Sequence, residues 1–378
     1  MSLSSYRSEF PVTETLTYLN HAGIAPTSVR VRDAVGGWFD RYVARGILDE
    51  EGWEETAEAC RARYARLIGA APDEIAFVRN TSNGLALVAE GLTWKPGDRV
   101  AVATELEYPS NVYVWQHLRN RGVAVDTIAA RGGTVTPQAI ADVLQPGTRL
   151  VAVSSAQYAT GAVTDLEAIG TLCRDRDILY CVDGIQTVGA LDIDVKQVGA
   201  HFLAADSHKW LLGMPGIGAL YISGDVVDQV RPVLVGWRST TDAWNFDRAH
   251  FELQPDARKF EEGSQPYALI AGFHAALGLL EEVGVPSIGQ HIRQLIEHLA
   301  RELTAIGAEV SPATDKRHHI LTFTHPQSDG ARLLEYLGER DFVISRRRGR
   351  LRVSPHFYNT TAEVDHFIAA VQEYLNIM

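Results

Sequence analysis

Between residues 75 and 223 the chain repeats one pattern, a short apolar run followed by a turn and a stretch with helical spacing. "IAFV" (75–78), "RVAVAT" (99–104), "RLVAVSSA" (149–156), "ILYCVD" (178–183) and "HFLAAD" (201–206) read as strands. "GLALVAEGL", "VYVWQHLRNRG" and "DLEAIGTLCRDR" read as helices between them. Strands that are apolar along their whole length are buried on both faces, and the intervening helices supply the cover, so the pattern predicts a mostly parallel sheet in an α/β fold. "IGALYIS" (217–223) follows "HFLAAD" too closely for a crossover helix and is expected to pair antiparallel. Ligands of such sheets sit outside the carboxyl ends of the strands.

The texture changes near residue 262. Ile288, Ile292, Leu295, Ile296, Leu299 and Leu303 mark one apolar helix face, and Val364, Phe367, Ile368, Val371, Tyr374 and Leu375 mark another. "HILTFTH" and "RLRVSPH" look like strands. The expected organisation is an N-terminal segment (1–25) packed on a small α+β C-terminal domain (263–378), with a large domain over 26–262.

Composition limits the function classes. With 378 residues, 46% hydrophobic and 22% charged, the chain can bury a large core. Its net charge of -12 argues against a nucleic-acid or anionic-membrane surface. The start "MSLSSYRSEFPVTET" has no secretory apolar region, and the longest apolar run, "ALIAGFHAALGLL", is too short to span a bilayer. The three cysteines, Cys60, Cys173 and Cys181, lack metal-ligand spacing and suit a reducing, cytoplasmic compartment; no metal site is expected.

Two strand ends carry the chemistry. Asp183 closes one apolar strand, and Lys209 follows the next in "AADSHKWLLGMPGIG". A carboxylate facing a pyridine nitrogen keeps it protonated, and a nearby lysine can form a Schiff base with an aldehyde; together they are the least a protein must supply for pyridoxal-phosphate chemistry. Each residue alone also fits a blander role, Asp183 a helix N-cap and Lys209 a solvated lysine. In "FVRNTSNGLALVA" (77–89), Thr81, Ser82 and Asn83 fall where the N–H groups of a helix start point at an anion; a plain capping turn is the alternative.

From "YLNHAGIAP" to "SPHFYNTTAEVD", and most specifically in "VDGIQTVGA", "SHKWLLGMPGIG" and "KFEEGSQP", the chain resembles the class V members of the fold type I pyridoxal-phosphate enzymes. That group holds class V aminotransferases, the cysteine desulfurase and selenocysteine lyase family, and isopenicillin N epimerase. The resemblance implies pyridoxal 5'-phosphate as cofactor, a small amino-acid substrate and a homodimer with shared active sites. It makes Lys209 the Schiff-base lysine, Asp183 the partner of the pyridine nitrogen and Gln186 the contact of the phenolic oxygen. Thr81, Ser82 and His208 match phosphate contacts, Tyr108 the ring stacked on the cofactor, and Ser264 a hydroxyl residue that reaches the phosphate of the neighbouring subunit. Arg352 matches the grip on the substrate carboxylate, a task suited to guanidinium. His21, in a segment the family places near the substrate, is a substrate-binding candidate with packing as the alternative; Trp237 and Arg238 are further candidates. Two positions depart from desulfurases. Asp206 stands where they often carry serine and is expected to turn away, leaving Ser207 to supply the hydroxyl. Tyr158 stands where they place an asparagine, so that Gln157 or Tyr158 contacts the ring.

Transamination, epimerisation and carbon–sulfur cleavage all begin with loss of the α-proton to Lys209. No cysteine lies in "YLGERDFVISRRRGRLRV", where a desulfurase would need its thiol, and the three cysteines present read as core. The expected activity is a class V aminotransferase, followed by a carbon–sulfur lyase without a persulfide cysteine or an epimerase; a non-catalytic cofactor-binding regulator is the alternative of another class. Arg346, Arg347 and Arg348 are either a solvated loop or a second anchor for an acidic substrate.

Overall fold

The computed structural model describes residues 3–130, 132–247, 250–311 and 318–377. β1 (Thr17–Tyr18), α1 (Val29–Arg45) and α2 (Glu50–Leu67) precede the repeating region. That region forms a seven-stranded sheet of β2 (Ile75–Val78), β3 (Arg99–Val102), β4 (Ala124–Thr127), β5 (Thr148–Ser154), β6 (Leu179–Asp183), β7 (Phe202–Asp206) and β8 (Gly218–Ile222). The strand order is β2-β8-β7-β6-β5-β3-β4. The inner pairs from β4 to β7 are parallel, and β8 runs antiparallel to both β7 and β2, as the short connection before it requires.

β4 was not foreseen. Its four residues are neither wholly apolar nor long, and it lies at the sheet edge half-exposed, with Asp126 held by Arg99 of β3 (Nε–Oδ2 2.7 Å). α3 (Thr81–Gly91), α4 (Ser110–His117), α5 (Pro137–Ala141) and α6 (Leu166–Arg174) join the strands. One apolar cluster fills one face of the sheet and continues to the chain's last helix; a second, built on Leu85, Val88, Trp115 and Phe202, fills the other face.

The remainder contains α7 (Tyr267–Val283), which packs on α1 and α2, then α8 (Val285–Ala305), β9 (Glu309–Val310), β10 (Leu321–Thr324), α9 (Gly330–Gly338), β11 (Phe342–Val343), β12 (Ser345–Arg347), β13 (Arg350–Val353) and α10 (Thr361–Ile377). β12-β13-β10-β9 form an antiparallel sheet. The N-terminal residues are stitched to this part of the chain. β1 pairs in parallel with β11, Phe10 stacks on Tyr358 at 3.8 Å, and Arg7 holds Glu363 at 3.0 Å.

A buried ion pair fixes the strand that precedes the cleft. Arg61 on α2 meets Glu261 through two hydrogen bonds (2.6 and 3.1 Å) and donates to Ile75 O (2.6 Å), while Phe77 N–H donates to Glu261 (2.8 Å). Both side chains are almost fully buried. Glu58 Oε1 lies 3.2 Å from Arg61 Nε and keeps a partner for the guanidinium, but removing Glu261 takes away its buried counter-charge and the acceptor of Phe77 N–H, a loss approaching the roughly 3–5 kcal/mol of a broken buried pair. Glu261→Ala should therefore lower the urea midpoint strongly, whereas replacing either member of the exposed pair Arg32–Asp33 should leave it nearly unchanged.

Candidate active site

The carboxyl ends of the strands open into a cleft of about 680 Å³. Its walls include Asn20, Thr81, Ser82, Tyr108, Tyr158, Asp183, Gln186, Asp206, His208, Lys209, Arg347 and Arg352.

One wall is the start of α3. Asn80 caps the helix by accepting from Asn83 N–H (2.9 Å). Gly84 lets the helix approach β7 closely: a Cβ there would lie 3.0 Å from Ala204 Cβ. Thr81 is buried, and its hydroxyl oxygen has no hydrogen-bond partner among the described residues. Ser82 Oγ lies 2.6 Å from Ser110 Oγ on α4. Unsatisfied N–H groups at a helix start, together with an orphaned buried hydroxyl, make a seat for a phosphate.

Opposite it stand the two residues that end strands. Asp183 is buried at the end of β6, and among the described residues its hydrogen bond comes from Ile185 N–H (3.1 Å). Burial raises its carboxyl pKa to about 7; the Ile185 bond opposes this, and nearby Glu107 adds to it. Lys209 is drawn down to about 8, chiefly by burial, with Arg352 acting in the same direction and Asp183 against it. Its ammonium lies 5.9 Å from the centre of the Tyr108 ring. Lys209 thus gives up its proton readily, as a nucleophilic amine must.

Glu107 was missed by sequence reasoning, although it directly precedes Tyr108. It is buried and accepts from Ser154 N–H (2.8 Å), Asn111 Nδ2 (3.1 Å), Gln157 Nε2 (3.2 Å) and the Ser154 hydroxyl. Only a charged residue closing the loop after a strand pointed to it. Gln157 is turned to Glu107 and buried, so Tyr158 is the one of that pair that lines the cleft.

Arg352, on β13, is buried, and its partners among the described residues are neutral: Tyr158 O (2.8 Å), Ser345 Oγ (3.2 Å) and Asn20 Oδ1 (3.4 Å). Burial and the neighbouring Arg347 lower its pKa to about 10. A buried guanidinium without an anion is costly, and a carboxylate entering the cleft relieves it. Gln186 is held from both ends: its Oε1 accepts from Trp210 Nε1 (3.0 Å) and its Nε2 donates to Ala22 O (3.1 Å), which leaves one amide proton for a ligand.

Several expectations are corrected. His21 does not line the cleft; it is buried, with Nδ1 2.9 Å from Ser354 O and Nε2 2.6 Å from Tyr358 Oη, and burial lowers its pKa to about 4. It packs the N-terminal segment. Ser207 points away, donating to Met214 O (2.7 Å) to close the loop that carries Lys209, whereas Asp206 faces the cleft. Asp206 Oδ1 lies 2.9 Å from His208 Nδ1 without hydrogen-bond alignment, a contact that draws the imidazole toward the carboxylate. Arg238 is spent on Glu54 (2.6 and 2.8 Å), and Trp237 packs on Trp244 at 4.8 Å between centroids. Of the three consecutive arginines only Arg347 lines the cleft. Ser264 is exposed and lines a different cavity, beside Asn83 and Gly216. All three cysteines are buried outside the cleft.

A model of the family described as aminotransferase class-V matches residues 17–367. The chain belongs to this family. A probable cysteine desulfurase of Methanothermobacter thermautotrophicus is 31% identical, with 96% of each chain covered. An uncharacterized aminotransferase of Bacillus subtilis, YcbU, is 30% identical over 96% of this chain and 95% of that one. The cystine C–S lyase C-DES, solved with its reaction product cysteine persulfide, superposes with a TM-score of 0.90 at 26% identity, covering 95% of this chain and 98% of that one. A mutant of the same lyase carries glycine covalently linked to its pyridoxal-phosphate cofactor. This class V enzyme has the fold type I architecture and depends on pyridoxal phosphate. The orphaned Thr81 hydroxyl, the buried Asp183 carboxyl and the easily deprotonated Lys209 fit that group. Among the described residues, no single helix is long and apolar enough to cross a membrane.

The Asp183 shift has a measurable sign. Its folded pKa, about 7, exceeds the ordinary 3.8, so between these values the folded apoenzyme holds a proton that the unfolded chain has released. This contribution to stability is full below about pH 4 and is lost as the pH rises through 7. Urea unfolding of the apo forms should show wild type losing ground to Asp183→Asn over that interval; parallel curves would contradict the shift.

Proposed function

We propose that this class V enzyme is a carbon–sulfur lyase that splits sulfur from a cystine-like amino acid without a persulfide cysteine. One observation carries the reading: the cleft that gathers Lys209, Asp183 and Arg352 contains no thiol, because Cys60, Cys173 and Cys181 are all buried elsewhere. Burial also raises the Cys60 thiol far out of the reactive range. The names of the relatives, a probable desulfurase and a cystine C–S lyase, favour sulfur chemistry over the transamination that sequence alone put first.

The side chains divide the work. Arg352 binds the α-carboxylate and so fixes the Cα–H bond relative to the ring that Tyr108 covers. Lys209, free of its own proton, removes the α-proton at Cα. Asp183 holds a proton at the pyridine nitrogen, and Thr81, Ser82 and His208 hold the phosphate. When bound, pyridoxal phosphate supplies an electron sink for the pair left at Cα. The bond from Cβ to sulfur then breaks, sulfur leaving with the bonding pair and taking a proton. With cystine the balance is cystine plus water giving cysteine persulfide, pyruvate and ammonia.

The test is product analysis. Cystine should yield pyruvate and persulfide, and a Cys60→Ala, Cys173→Ala, Cys181→Ala triple variant that stays folded should keep this activity. Arg352→Ala should lower kcat/KM by roughly 2–5 kcal/mol, or about 30-fold to several thousand-fold. Accumulation of the amine form of the cofactor, reversed by a keto acid, would point to an aminotransferase.

The same reading includes a homodimer in which Ser264 reaches the neighbour's phosphate site. Its support is that Ser264 is exposed and does not line its own chain's Lys209 cleft, and that Trp244, Phe246 and Phe251 lie exposed on the segment preceding it. Sedimentation should give a dimer, and Ser264→Ala should weaken pyridoxal-phosphate retention. A fully active monomer would end the proposal.

A further inference from the structure

The β12–β13 hairpin sorts its arginines by alternation. Arg347 pairs with Arg350 across a two-residue turn, and Ser345 pairs with Arg352. Arg348 and Gly349 both have positive φ, 48° and 83°, the signature of a type I′ turn. Arginine in that conformation is strained, and Arg348 is held there by contacts to Glu105 O and to Tyr158 Oη (3.4 Å). Side chains alternate along a strand, and directly paired residues share a face. Arg347 and Arg352 therefore stand on one face and both line the cleft, while Arg346 lies on the opposite face, where a Cβ added to Gly330 would come 3.6 Å from its Nε.

Neither cleft arginine makes an ion pair among the described residues. Arg352 has three neutral acceptors, and Arg347 donates to Arg346 O (3.0 Å). The acids that share the cleft are placed elsewhere: Asp183 at the end of β6, and Asp206 against His208. Two like charges close enough to depress the Arg352 pKa are thus held together on a preorganised hairpin. An amino acid's α-carboxylate compensates one of them.

We propose that Arg347 reads a second carboxylate, at the far end of the substrate side chain, so that the site selects amino acids of the cystine type over those with neutral side chains. This rests on the reading of the cleft as an amino-acid site, though not on which bond is broken there. Arg352 grips the α-carboxylate deep in the cleft, and half-buried Arg347 meets the distal one nearer its mouth.

The experiment uses the pyridoxal-phosphate-loaded enzyme and two unreactive probes, glutarate and butyrate, titrated against the cofactor absorbance. Wild type should bind glutarate about tenfold or more tightly than butyrate, as expected for one charge-assisted contact. Arg347→Gln should remove most of that preference, and Arg347→Lys should restore part of it. In turnover, the kcat/KM ratio of cystine to S-methylcysteine should fall in Arg347→Gln. Equal affinities for the two probes in wild type, or a preference that survives Arg347→Gln in a folded, cofactor-loaded variant, would overturn the proposal. If cystine is not cleaved but the glutarate preference depends on Arg347, the lyase reading fails and this one stands.

Discussion

A sheet covered on both faces leaves no room for charge except at its ends. The strands β5, β6 and β7 are apolar and buried over nearly their whole length, so water and ions are excluded from either face. Polar residues that the chemistry needs must therefore sit on the last residue of a strand or in the turn beyond it. Ser154, Asp183 and Asp206 end their strands, and Lys209 lies three residues past the last of these. The parallel order brings these ends to one rim. The cleft is thus a product of the same burial that stabilises the fold.

Burial also sets the electrostatics. Asp183 and Lys209 both have pKa values moved toward neutrality because each loses hydration in the fold. Arg352 pays a similar penalty with only neutral oxygens around it. Structural ion pairs behave differently: Arg61–Glu261 and Arg238–Glu54 satisfy each other's charge. These two pairs support the fold, whereas Asp183, Lys209 and Arg352 face the cleft.

The sequence made the central strands legible because each is a continuous apolar run, and the antiparallel β8 because its connection is too short for a crossover. β4 escaped because an edge strand needs little apolar burial and its Asp126 looks like loop material. That Asp183 and Lys209 share one rim was legible because one ends an apolar strand and the other closely follows one. His21 was misread because a histidine one residue after an asparagine looks the same whether its ring faces a ligand or Ser354 O. Asp206 and Ser207 were exchanged because neighbouring residues at a strand end point opposite ways, and the phase of that alternation is fixed only by pairing with Gly218. The arginine run posed the same problem, settled by the register of β12 against β13.

The short N-terminal strand has a consequence for the order in which the molecule can be assembled. Leu19 and His21 exchange backbone hydrogen bonds with Ser354, β1 pairs with β11, and Ala25 N–H donates to His208 O (2.8 Å) beside Lys209. During synthesis, residues 17–25 leave the ribosome long before their partners at 342–354. Until those partners are made, residues 17–21 lack the strands they pair with, and the wall that Asn20 and Ala22 supply to the cleft is held only by Gln186 and His208. The rim at the strand ends can form as soon as β8 is made, but the cleft closes only when residues 17–25 meet residues 342–354, so cofactor captured earlier would lie in an unfinished site.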